Sequence, residues 1–397
     1  MSAIAGNQPT AGGKANLPSG PTQLRNAFDL CVHKTRDNIK RLADDPKSAA
    51  WAVDGNYFAF NEGFHEIGNW TSSFFTGMAV LAWRETKDVF FLQQLLRLAP
   101  HYLAKAFKQH RHTHHDLGFL YSLYSVALYK LTGEKLHRET GLRAAAVLAR
   151  RFNPSGNFIR AWGYLGTDDF NDMAIIDCLM NLPLLHWATN ETGDQRYREI
   201  AIKHADMVLK NFVRPDDSVY HAYRFDLKTG RPLRADTYGG IAVESHWARG
   251  MAWAIYGFAL SHKYTQDARY LDAASRIALA FIHSLDREIV PVWDFRLPAG
   301  ATPLRDSSAL AVAVCGLFEL AQQGGQDSKF FHSTRPMLLR LCAEDYLNSD
   351  PACPGILRNG QVGNGVPGGA QNAYTSWGDY FLMEALSREL RLGGTFW

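Results

Sequence analysis

The chain has 397 residues, of which 46% are hydrophobic and 20% are charged, and this composition is typical of a folded protein with a large core. Its 42 Lys and Arg residues nearly balance its 39 Asp and Glu residues, and the net charge of +3 gives no electrostatic basis for binding nucleic acid or a membrane surface. No run approaches the ~20 apolar residues that a membrane-spanning helix needs.

The predicted elements begin after an N-terminus rich in Gly, Pro and Ala. Residues 1–22 lack a basic start followed by an apolar stretch, so we interpret them as a flexible tail and not as a secretory signal. From about residue 24 onward the apolar positions recur at helical spacing, as in LYSLYSVALYKL, IIDCLMNLPLLHWA and MAWAIYGFAL. Possible short strands lie between helices, at residues 157–161, 219–225 and 289–295. We predict that residues 23–397 form a single, all-α catalytic domain.

A short turn recurs along the chain and divides the helices into pairs. It carries an acid and, three residues later, an aromatic or bulky residue, with the acids at positions 88, 134, 194, 267 and 327. Each acid suits the N-terminal end of the second helix of its pair, where a negative charge meets the positive end of the helix dipole. With helices near residues 24–42 and 374–390 the count reaches about twelve, which predicts an (α/α)6 toroid of helical hairpins. A helical solenoid is the alternative, but the repeats vary in length and carry long inserts.

Counting back from each turn places a set of residues at one depth. The residue about 17 or 18 positions before the acid is Trp70, Asp116, Asp177, Arg249 or Ala309, and at ~1.5 Å per helical residue each lies about 26 Å from its turn. These positions therefore fall near the N-terminal ends of the inner helices. Core packing does not require a Trp, two Asp and an Arg to converge on the mouth of a ring, whereas a site for an acidic sugar does.

Asp116 and Asp177 are the predicted catalytic pair. Asp116 directly precedes a helix in HHDLGF, so capping of that helix is an equally good interpretation of this residue alone. Asp177 lies in the apolar stretch IIDCLM, where an unpartnered carboxylate is costly and a purely structural role is less expected. Two carboxyl groups at matching depth on consecutive inner helices perturb each other's pKa, so one of them can stay protonated near neutral pH as a general acid.

An arginine and three tryptophans are predicted to bind the substrate. Arg249, among the aromatic residues of HWARGMAW, suits two-point binding of a carboxylate, and its alternative role is an ion pair with one of the two aspartates. Trp70, Trp162 and Trp253 offer flat faces that stack on sugar rings, although each is as readily explained as part of the core.

Histidines are weaker candidates. His221 lies on a loop, where a surface role is the more common one, and His115 lies next to Asp116; we predict that both bind the substrate. The histidines at positions 112, 114 and 115 have no carboxylate or Cys spaced to complete a metal site, so we predict neither a metal nor a cofactor.

At these positions the sequence resembles the unsaturated glucuronyl hydrolases, glycoside hydrolase family 88. The stretches that carry the resemblance are HHDLGF at 114–119, DCLMNLPLLHWA at 177–188, HWARGMAWAIYGFAL at 246–260 and SWGDYFLMEAL at 376–386. The resemblance implies an (α/α)6 barrel that acts on oligosaccharides left by polysaccharide lyases, whose terminal uronic acid has a C4=C5 double bond. It also implies hydration of that bond, with protonation at C4 and water addition at C5, followed by opening of the hemiketal and release of the remaining chain.

The resemblance assigns roles to individual residues. The family's acid/base aspartate falls on Asp177 and its second essential aspartate on Asp116, to which we assign orientation of sugar hydroxyls and tuning of Asp177. The other family site positions fall on His221, Arg249, Trp70, Trp162 and Trp253. Gly239 is a departure, because a larger polar side chain such as Gln is expected to touch the substrate there. The Gly- and Asn-rich stretch 358–371 is expected to shape the next sugar subsite.

Other functions stay open at this point. An unsaturated rhamnogalacturonyl hydrolase would use the same chemistry, although WARGMAWAIYGF and NLPLL favour the glucuronyl branch. An inverting glycosidase would place its two carboxylates around an anomeric water, and a sugar 2-epimerase would use His residues as acid and base. A helical binding protein without chemistry is disfavoured, because both aspartates, the arginine and the tryptophans are present.

The expected partner is a di- or oligosaccharide that ends in an unsaturated uronate. We expect a monomer or a weak homodimer, without nucleic acid or membrane partners. The five cysteines are widely spaced and form no CxxC pair, which predicts reduced thiols and a cytoplasmic setting.

Overall fold

The computed structural model describes residues 20–44, 46–59, 70–324, 329–363 and 371–397. Of the predicted N-terminal tail, residues 1–19 lie outside this described part, and residues 20–22 already belong to the first helix, which begins at Gly20. Within these ranges, no helix is long and apolar enough to cross a membrane.

Helices make up most of the described chain. In chain order they are α1 (Gly20–Asp44), α2 (Ser72–Thr86), α3 (Val89–Arg97), α4 (Ala99–Phe107), α5 (Leu117–Tyr121), α6 (Ala127–Thr132), α7 (Lys135–Ala149), α8 (Leu182–Thr192), α9 (Gln195–Asn211), α10 (Ala248–Thr265), α11 (Ala268–His283), α12 (Ser307–Gly324), α13 (Lys329–Leu341) and α14 (Ser376–Glu389). A π-helical turn (Ser122–Val126) joins α5 to α6 as one continuous helix, and a 3-10 turn (Ile176–Asn181) leads directly into α8.

The helices form two concentric layers. The inner layer is α2, α5–α6, α8, α10, α12 and α14; each contacts the next, and α14 contacts α2, so the ring is closed. The outer layer is α3–α4, α7, α9, α11 and α13, each after its inner partner in the chain, together with α1, which packs against α2 and α14. The predicted (α/α)6 toroid is therefore confirmed.

The hairpin turns share one construction. The inner helices α2, α6, α8 and α10 end on left-handed residues, which are Lys87, Gly133, Gly193 and Gln266. The acid comes next, and the carboxylates of Asp88, Asp194 and Asp267 each accept a hydrogen bond from the backbone N–H two residues further on. The predicted role at a helix start is confirmed for these three acids. Glu134 occupies the same place without a capping bond from its side chain, and residue 327 lies outside the described residues.

Short antiparallel strands connect the helices at the mouth. They are β1 (Trp51–Ala52), β2 (Phe152–Asn153), β3 (Phe158–Ile159), β4 (Met173–Ile175), β5 (Ala222–Phe225), β6 (Pro232–Asp236) and β7 (Tyr374–Thr375). They pair as β1–β7, β2–β3 and β4–β5–β6. Two predicted strands are confirmed in shortened form as β3 and β5. The prediction of a strand at 289–295 is wrong, because this segment makes only isolated bridges at Val292 and Asp294.

The C-terminal residues close the ring at the end where the inner helices finish. The backbone carbonyl of Gly394 accepts a hydrogen bond from Arg84 near the end of α2, and that of Phe396 accepts one from Lys130 near the end of α6. Trp397 reaches into the central axis, where its ring packs against Phe119 with centroids 5.8 Å apart. Among the described residues, the toroid is therefore closed at this end, and the other end, where its inner helices begin, is the mouth.

Candidate active site

The N-terminal ends of the inner helices meet at the open end of the ring. Trp70 lies just before α2, Asp116 is the N-cap residue of α5, Asp177 lies in the 3-10 turn before α8, and Arg249 is in the first turn of α10. The structure thus places all four at the helix ends that the turn spacing indicated. The side chain of Asp116 makes no capping hydrogen bond, so capping does not explain why an acid stands there.

The segments that carry the two aspartates are in direct contact. The backbone N–H of Phe119 donates to Oδ1 of Asn181 at 2.8 Å. Gly118 allows this approach, because a Cβ at that position would lie 2.3 Å from the Cα of Asn181. The glycine of HHDLGF therefore sets the close spacing of the two helix starts that present Asp116 and Asp177.

A small sheet brings His221 to Asp177. In the β4–β5 pair Ile175 lies opposite Ala222, and the N–H of Ile176 donates to the carbonyl of His221 at 2.9 Å. As a result, Asp177, just after β4, and His221, just before β5, lie side by side, with 3.6 Å between Asp177 Oδ2 and His221 Nε2. Oδ2 of Asp177 is buried without a hydrogen-bond partner among the described residues, so it is available to a ligand.

The tautomer of His221 follows from its other nitrogen. Nδ1 accepts hydrogen bonds from the backbone N–H groups of Tyr238 and Gly239, both at 2.9 Å. Since Nδ1 is an acceptor, the ring proton is on Nε2 and faces Asp177. Burial lowers the pKa of His221 to about 3, so the imidazole is neutral and its Nε2–H is available as a donor to a ligand beside Asp177.

Burial shifts both carboxyl groups toward their protonated forms. It raises the pKa of Asp177 to about 6, and the positive charge of Arg249 opposes this rise. It raises the pKa of Asp116 to about 8, with a further contribution from the negative charge of Asp177 and an opposing one from Arg151. Because each carboxylate disfavours ionisation of the other, the pair retains one proton near neutral pH.

Arg249 is buried and fixed in place. Its Nη1 donates to Asp306 Oδ2 at 2.7 Å and to the carbonyl of Gln361, and its Nη2 donates to the carbonyl of Val362 at 2.9 Å. The alternative of an ion pair with Asp116 or Asp177 is wrong, because the partner is Asp306. Among the described residues, the Nε–H and one Nη2–H have no acceptor, and these two groups suit a carboxylate.

Comparison with known proteins identifies the family. The model of Glycosyl Hydrolase Family 88 matches residues 40–290. The chain is 36% identical to the unsaturated glucuronyl hydrolase of Bacillus sp. (strain GL1) over 91% of this chain and 96% of that protein. It is 34% identical to the unsaturated chondroitin disaccharide hydrolase of Streptococcus pyogenes serotype M1, over 94% and 93% respectively.

The chain belongs to glycosyl hydrolase family 88.

The fold agrees with this family membership. The crystal structure of the Bacillus sp. GL1 unsaturated glucuronyl hydrolase superimposes with a TM-score of 0.85 at 34% identity, over 94% of this chain and 99% of that one. A family 88 protein is a hydrolase acting on glycosyl compounds, so the alternatives of an epimerase and of a binding protein without chemistry no longer apply. The relatives named above support the glucuronyl branch.

The predicted tryptophans occupy different surroundings in this family 88 site. Trp70 is half-buried and stacks on Trp377, with centroids 5.0 Å apart and planes 27° apart. Trp162, also half-buried, meets Tyr238 edge-on at 4.8 Å. Both keep exposed surface at the mouth and fit the predicted stacking role.

Trp253 has no exposed surface. Its exposed fraction is 0%, and its ring packs edge-on against Phe119 and Phe381, with centroids 5.5 Å apart in each case. The structure therefore corrects the prediction of an open stacking face here, since two core aromatics occupy the space beside the indole. Trp253 therefore packs in the core beneath the site and is not exposed to a substrate.

Gly239 also differs from the prediction. A Cβ at this position would lie 2.6 Å from the indole of Trp247, so the expected larger polar side chain does not fit. Its backbone N–H is engaged with Nδ1 of His221. Gly239 therefore contributes to the site by orienting His221 and not through a side chain of its own.

His115 lies behind Asp116. It is buried, its Nε2 lies 3.4 Å from Oδ1 of Asp116, and burial places its pKa well below the ordinary range. A neutral His115 is therefore a neighbour that orients Asp116. Of the stretch 358–371, residues 364–370 lie outside the described residues, and Gln361 and Val362 supply the carbonyls that hold Arg249.

The sequence prediction missed several residues of this site. Asp306 binds Arg249, and the rings of Trp247 and Trp377 lie 4.7 and 5.1 Å from its guanidinium carbon. Arg151, at the end of an outer helix, donates to the carbonyls of Thr113 and Trp162, both at 2.6 Å, and so ties the Trp162 loop to the segment before Asp116. The turn spacing did reach the depth of the mouth at Ala309, just after Asp306 in the sequence. No sequence signal pointed to Arg151.

Proposed function

We propose that the chain releases the terminal 4,5-unsaturated uronic acid from lyase-generated oligosaccharides by hydrating its C4=C5 double bond. The observation that carries this proposal is the buried Oδ2 of Asp177, which has no hydrogen-bond partner among the described residues and faces the Nε2–H of a neutral His221. The names of the related unsaturated glucuronyl and chondroitin disaccharide hydrolases support the same substrate class.

Asp177 is the proposed acid and base of the reaction. Its carboxyl proton goes to C4 as the double bond opens, and a water molecule adds to C5 and returns a proton to the carboxylate. The product is a hemiketal at C5. Its C5–O5 bond breaks to give a ketone at C5 and a hemiacetal at C1, and the hemiacetal collapses to an aldehyde and releases the linked sugar with its hydroxyl restored. One water is consumed overall, and Asp177 ends in its starting protonation state.

Substrate binding supports protonation of Asp177. In the free protein the higher pKa belongs to Asp116, at about 8, and Asp177 lies at about 6 because Arg249 opposes the effect of burial. A substrate carboxylate bound at Arg249 neutralises this opposing charge, which raises the pKa of Asp177. The shared proton then shifts toward Asp177, where C4 needs it, and Asp116 keeps the supporting role of binding sugar hydroxyls.

The test follows the ultraviolet absorbance of the conjugated unsaturated acid. The wild type is incubated with lyase-generated disaccharides from chondroitin, hyaluronan, heparin, gellan and rhamnogalacturonan, and loss of absorbance reports hydration. We expect loss with one or more of the glucuronyl substrates. Loss with the rhamnogalacturonan product alone would favour the other branch, and no loss with any substrate would refute the proposal.

Asp177→Asn tests the acid/base role. We expect kcat to fall about a thousandfold, because an amide cannot donate this proton, while the dissociation constant measured by calorimetry changes little. Asp272→Asn, on the exposed face of α11 and paired there with Arg276, is the control and should keep wild-type activity. An Asp177→Asn protein with near wild-type kcat would show that another group supplies the proton.

We further propose a cytoplasmic location and a monomer or weak homodimer. The five cysteines support a reducing compartment, because all are free and four of them are buried. Cell fractionation tests the location, and sedimentation over a range of protein concentrations tests the assembly state.

A further inference from the structure

Asp306, at the start of α12, is a buried carboxylate to which the proposed reaction assigns no role. Its exposed fraction is 0%. Oδ1 accepts from the backbone N–H and the hydroxyl of Ser308, at 3.1 and 2.5 Å, and from the N–H of Gln361 at 3.3 Å. Oδ2 accepts from Nη1 of Arg249 at 2.7 Å. The two oxygens therefore bind different parts of the mouth.

Capping of α12 explains the contacts of Oδ1 but not the contact of Oδ2 with Arg249. The capping aspartates of the hairpin turns, such as Asp88, lie at the surface and bind the N–H two residues further on. Asp306 makes the same kind of bond with Oδ1, but it directs Oδ2 across the mouth to the first turn of α10. Together with the carbonyls of Gln361 and Val362, this oxygen fixes the plane of the Arg249 guanidinium.

A second connection runs from Asp306 to a predicted stacking face. The Ser308 hydroxyl, which donates to Asp306, accepts a hydrogen bond from Nε1 of Trp377 at 2.9 Å. The ring of Trp377 stacks on Trp70, with centroids 5.0 Å apart. The Asp306 carboxylate is therefore linked both to Arg249, the predicted binding group for a uronate, and to Trp70, the predicted stacking face for a sugar ring.

We propose that Asp306 is a positioning residue for recognition of the substrate's carboxylate. It aims the free N–H groups of Arg249 at the uronate and, through Ser308 and Trp377, holds Trp70 at the ring face. This inference rests on the proposed function, because the carboxylate in question belongs to the unsaturated uronic acid.

The test compares a carboxylate with its neutral ester. For the wild type and Asp306→Asn we would measure the KM of an unsaturated disaccharide and the inhibition constant of its uronate methyl ester as a competing ligand. Misplacement of Arg249 weakens binding of the acid more than that of the ester. We therefore expect the preference for the acid to fall about ten- to hundredfold, mainly through a higher KM and with a smaller change in kcat.

Two further variants distinguish the positioning of Arg249 from a general contribution to the stability of the site. Asp379 is also buried at the start of a helix and accepts from the N–H groups of Ile356 and Leu357, but no arginine binds it within the described ranges. Asp379→Asn should leave the acid-over-ester preference unchanged, whatever it does to stability. Ser308→Ala keeps the Asp306–Arg249 pair and releases Trp377, so it should weaken binding of acid and ester by the same factor.

The outcomes are distinct. If the wild type hydrates no substrate, the proposed function fails; if it is active and Asp306→Asn keeps the wild-type acid-over-ester preference, only the role of Asp306 fails. If Asp306→Asn does not fold, as judged by circular dichroism, Asp306→Glu replaces it. The longer side chain displaces Arg249, so a smaller loss of the preference is expected, and an unchanged preference would overturn the inference.

Discussion

At the residue scale, the site concentrates ionisable groups in a place where water has little access. Burial raises the pKa of Asp116 and Asp177 and lowers that of His221, so the mouth holds protonated or neutral groups at a pH where exposed ones would be charged. Such an arrangement is poor for stability and suits proton transfer to carbon.

Asp116 can be used to measure how much stability the protein loses by burying an ionisable carboxyl group. Its pKa is about 8 in the folded protein against an ordinary 3.8, so the folded state holds the proton more tightly than the unfolded one. Stability contributed by this group is therefore lost as the pH rises from about 4 toward 8. Asp116→Asn cannot ionise, and we expect it to exceed the wild type in stability by up to about 5 kcal/mol at pH 8 and to match it near pH 4.

Urea denaturation at both pH values measures this difference. Asp272→Asn, at the surface on α11, serves as the control and should show the same difference from the wild type at the two pH values. An Asp116→Asn protein with no pH-dependent gain would mean that the carboxyl is not destabilised by burial.

Residue types and their spacing were sufficient to find Asp116, Asp177 and Arg249, but not the charged residues Asp306 and Arg151 that hold the site together. Asp177 was predicted because a carboxylate in an apolar stretch is costly unless it has a partner or a function. Arg249 was predicted because the turn spacing placed it at the same depth in the ring as the two aspartates. The roles of Gly239 and Trp253 could not be predicted, since both depend on which side chains fill the neighbouring space. Trp247 excludes a side chain at Gly239, and Phe119 and Phe381 cover Trp253.

At the element scale, two devices position the site: a close approach of helices and a small sheet. The repeat of acid-containing turns predicted the helices, and in three of these turns the acid, at Asp88, Asp194 and Asp267, caps the next helix by a local hydrogen bond. The β4–β5–β6 sheet was predicted only in part. β4 has three residues and is specified by pairing with β5, far along the chain, and β6 is mostly exposed, so it lacks the alternating apolar pattern of a half-buried strand. That sheet is what carries His221 to Asp177.

Substitution of Gly118 tests whether the close approach of α5 to the segment before α8 positions the two aspartates. A Cβ at this position would meet backbone atoms of Asn181 at 2.3 Å, and backbone atoms cannot rotate away as a side chain does. We expect Gly118→Ala to cost about 1–3 kcal/mol in the free energy of unfolding. We also expect it to lower kcat/KM, because it separates Asp116 from Asp177.

The control for this variant is Gly20→Ala in α1, where the nearest atom to the added Cβ lies at 3.7 Å. This change should be neutral or slightly stabilising, because alanine favours a helix over glycine. Equal effects of the two substitutions on kcat/KM would show that the tight contact at Gly118 does not set the position of the carboxyl groups.

At the scale of the whole molecule, the inner ring is filled from its closed end. Trp397 is buried on the central axis, donates from Nε1 to Glu384 at 2.8 Å and packs against Phe119. Phe119 in turn contacts Trp70 and Trp253, so aromatic packing is continuous from the closed end to the mouth. Repeat counting predicted the ring, but the filling of its centre depends on residues that follow the last helix.

Trp397→Ala tests this packing. Removal of a buried indole from the centre of the ring should cost about 3–5 kcal/mol, measured by chemical denaturation. Trp397→Phe keeps an aromatic ring and loses the hydrogen bond to Glu384, so its cost should be smaller. If the alanine variant were as stable as the wild type, the closed end would not contribute to holding the ring together.

A ring open at one end has a consequence for how catalysis repeats. Only the tip of a chain can reach the bottom of such a pocket, and nothing can slide through it. In the proposed reaction the terminal uronate binds beside Asp177 and Arg249, so we expect the released saccharide, which lies nearer to solvent, to leave first. Every turnover therefore ends with an empty pocket, and because the saccharide that leaves no longer carries a C4=C5 double bond at its end, each chain is acted on once, at its terminal residue.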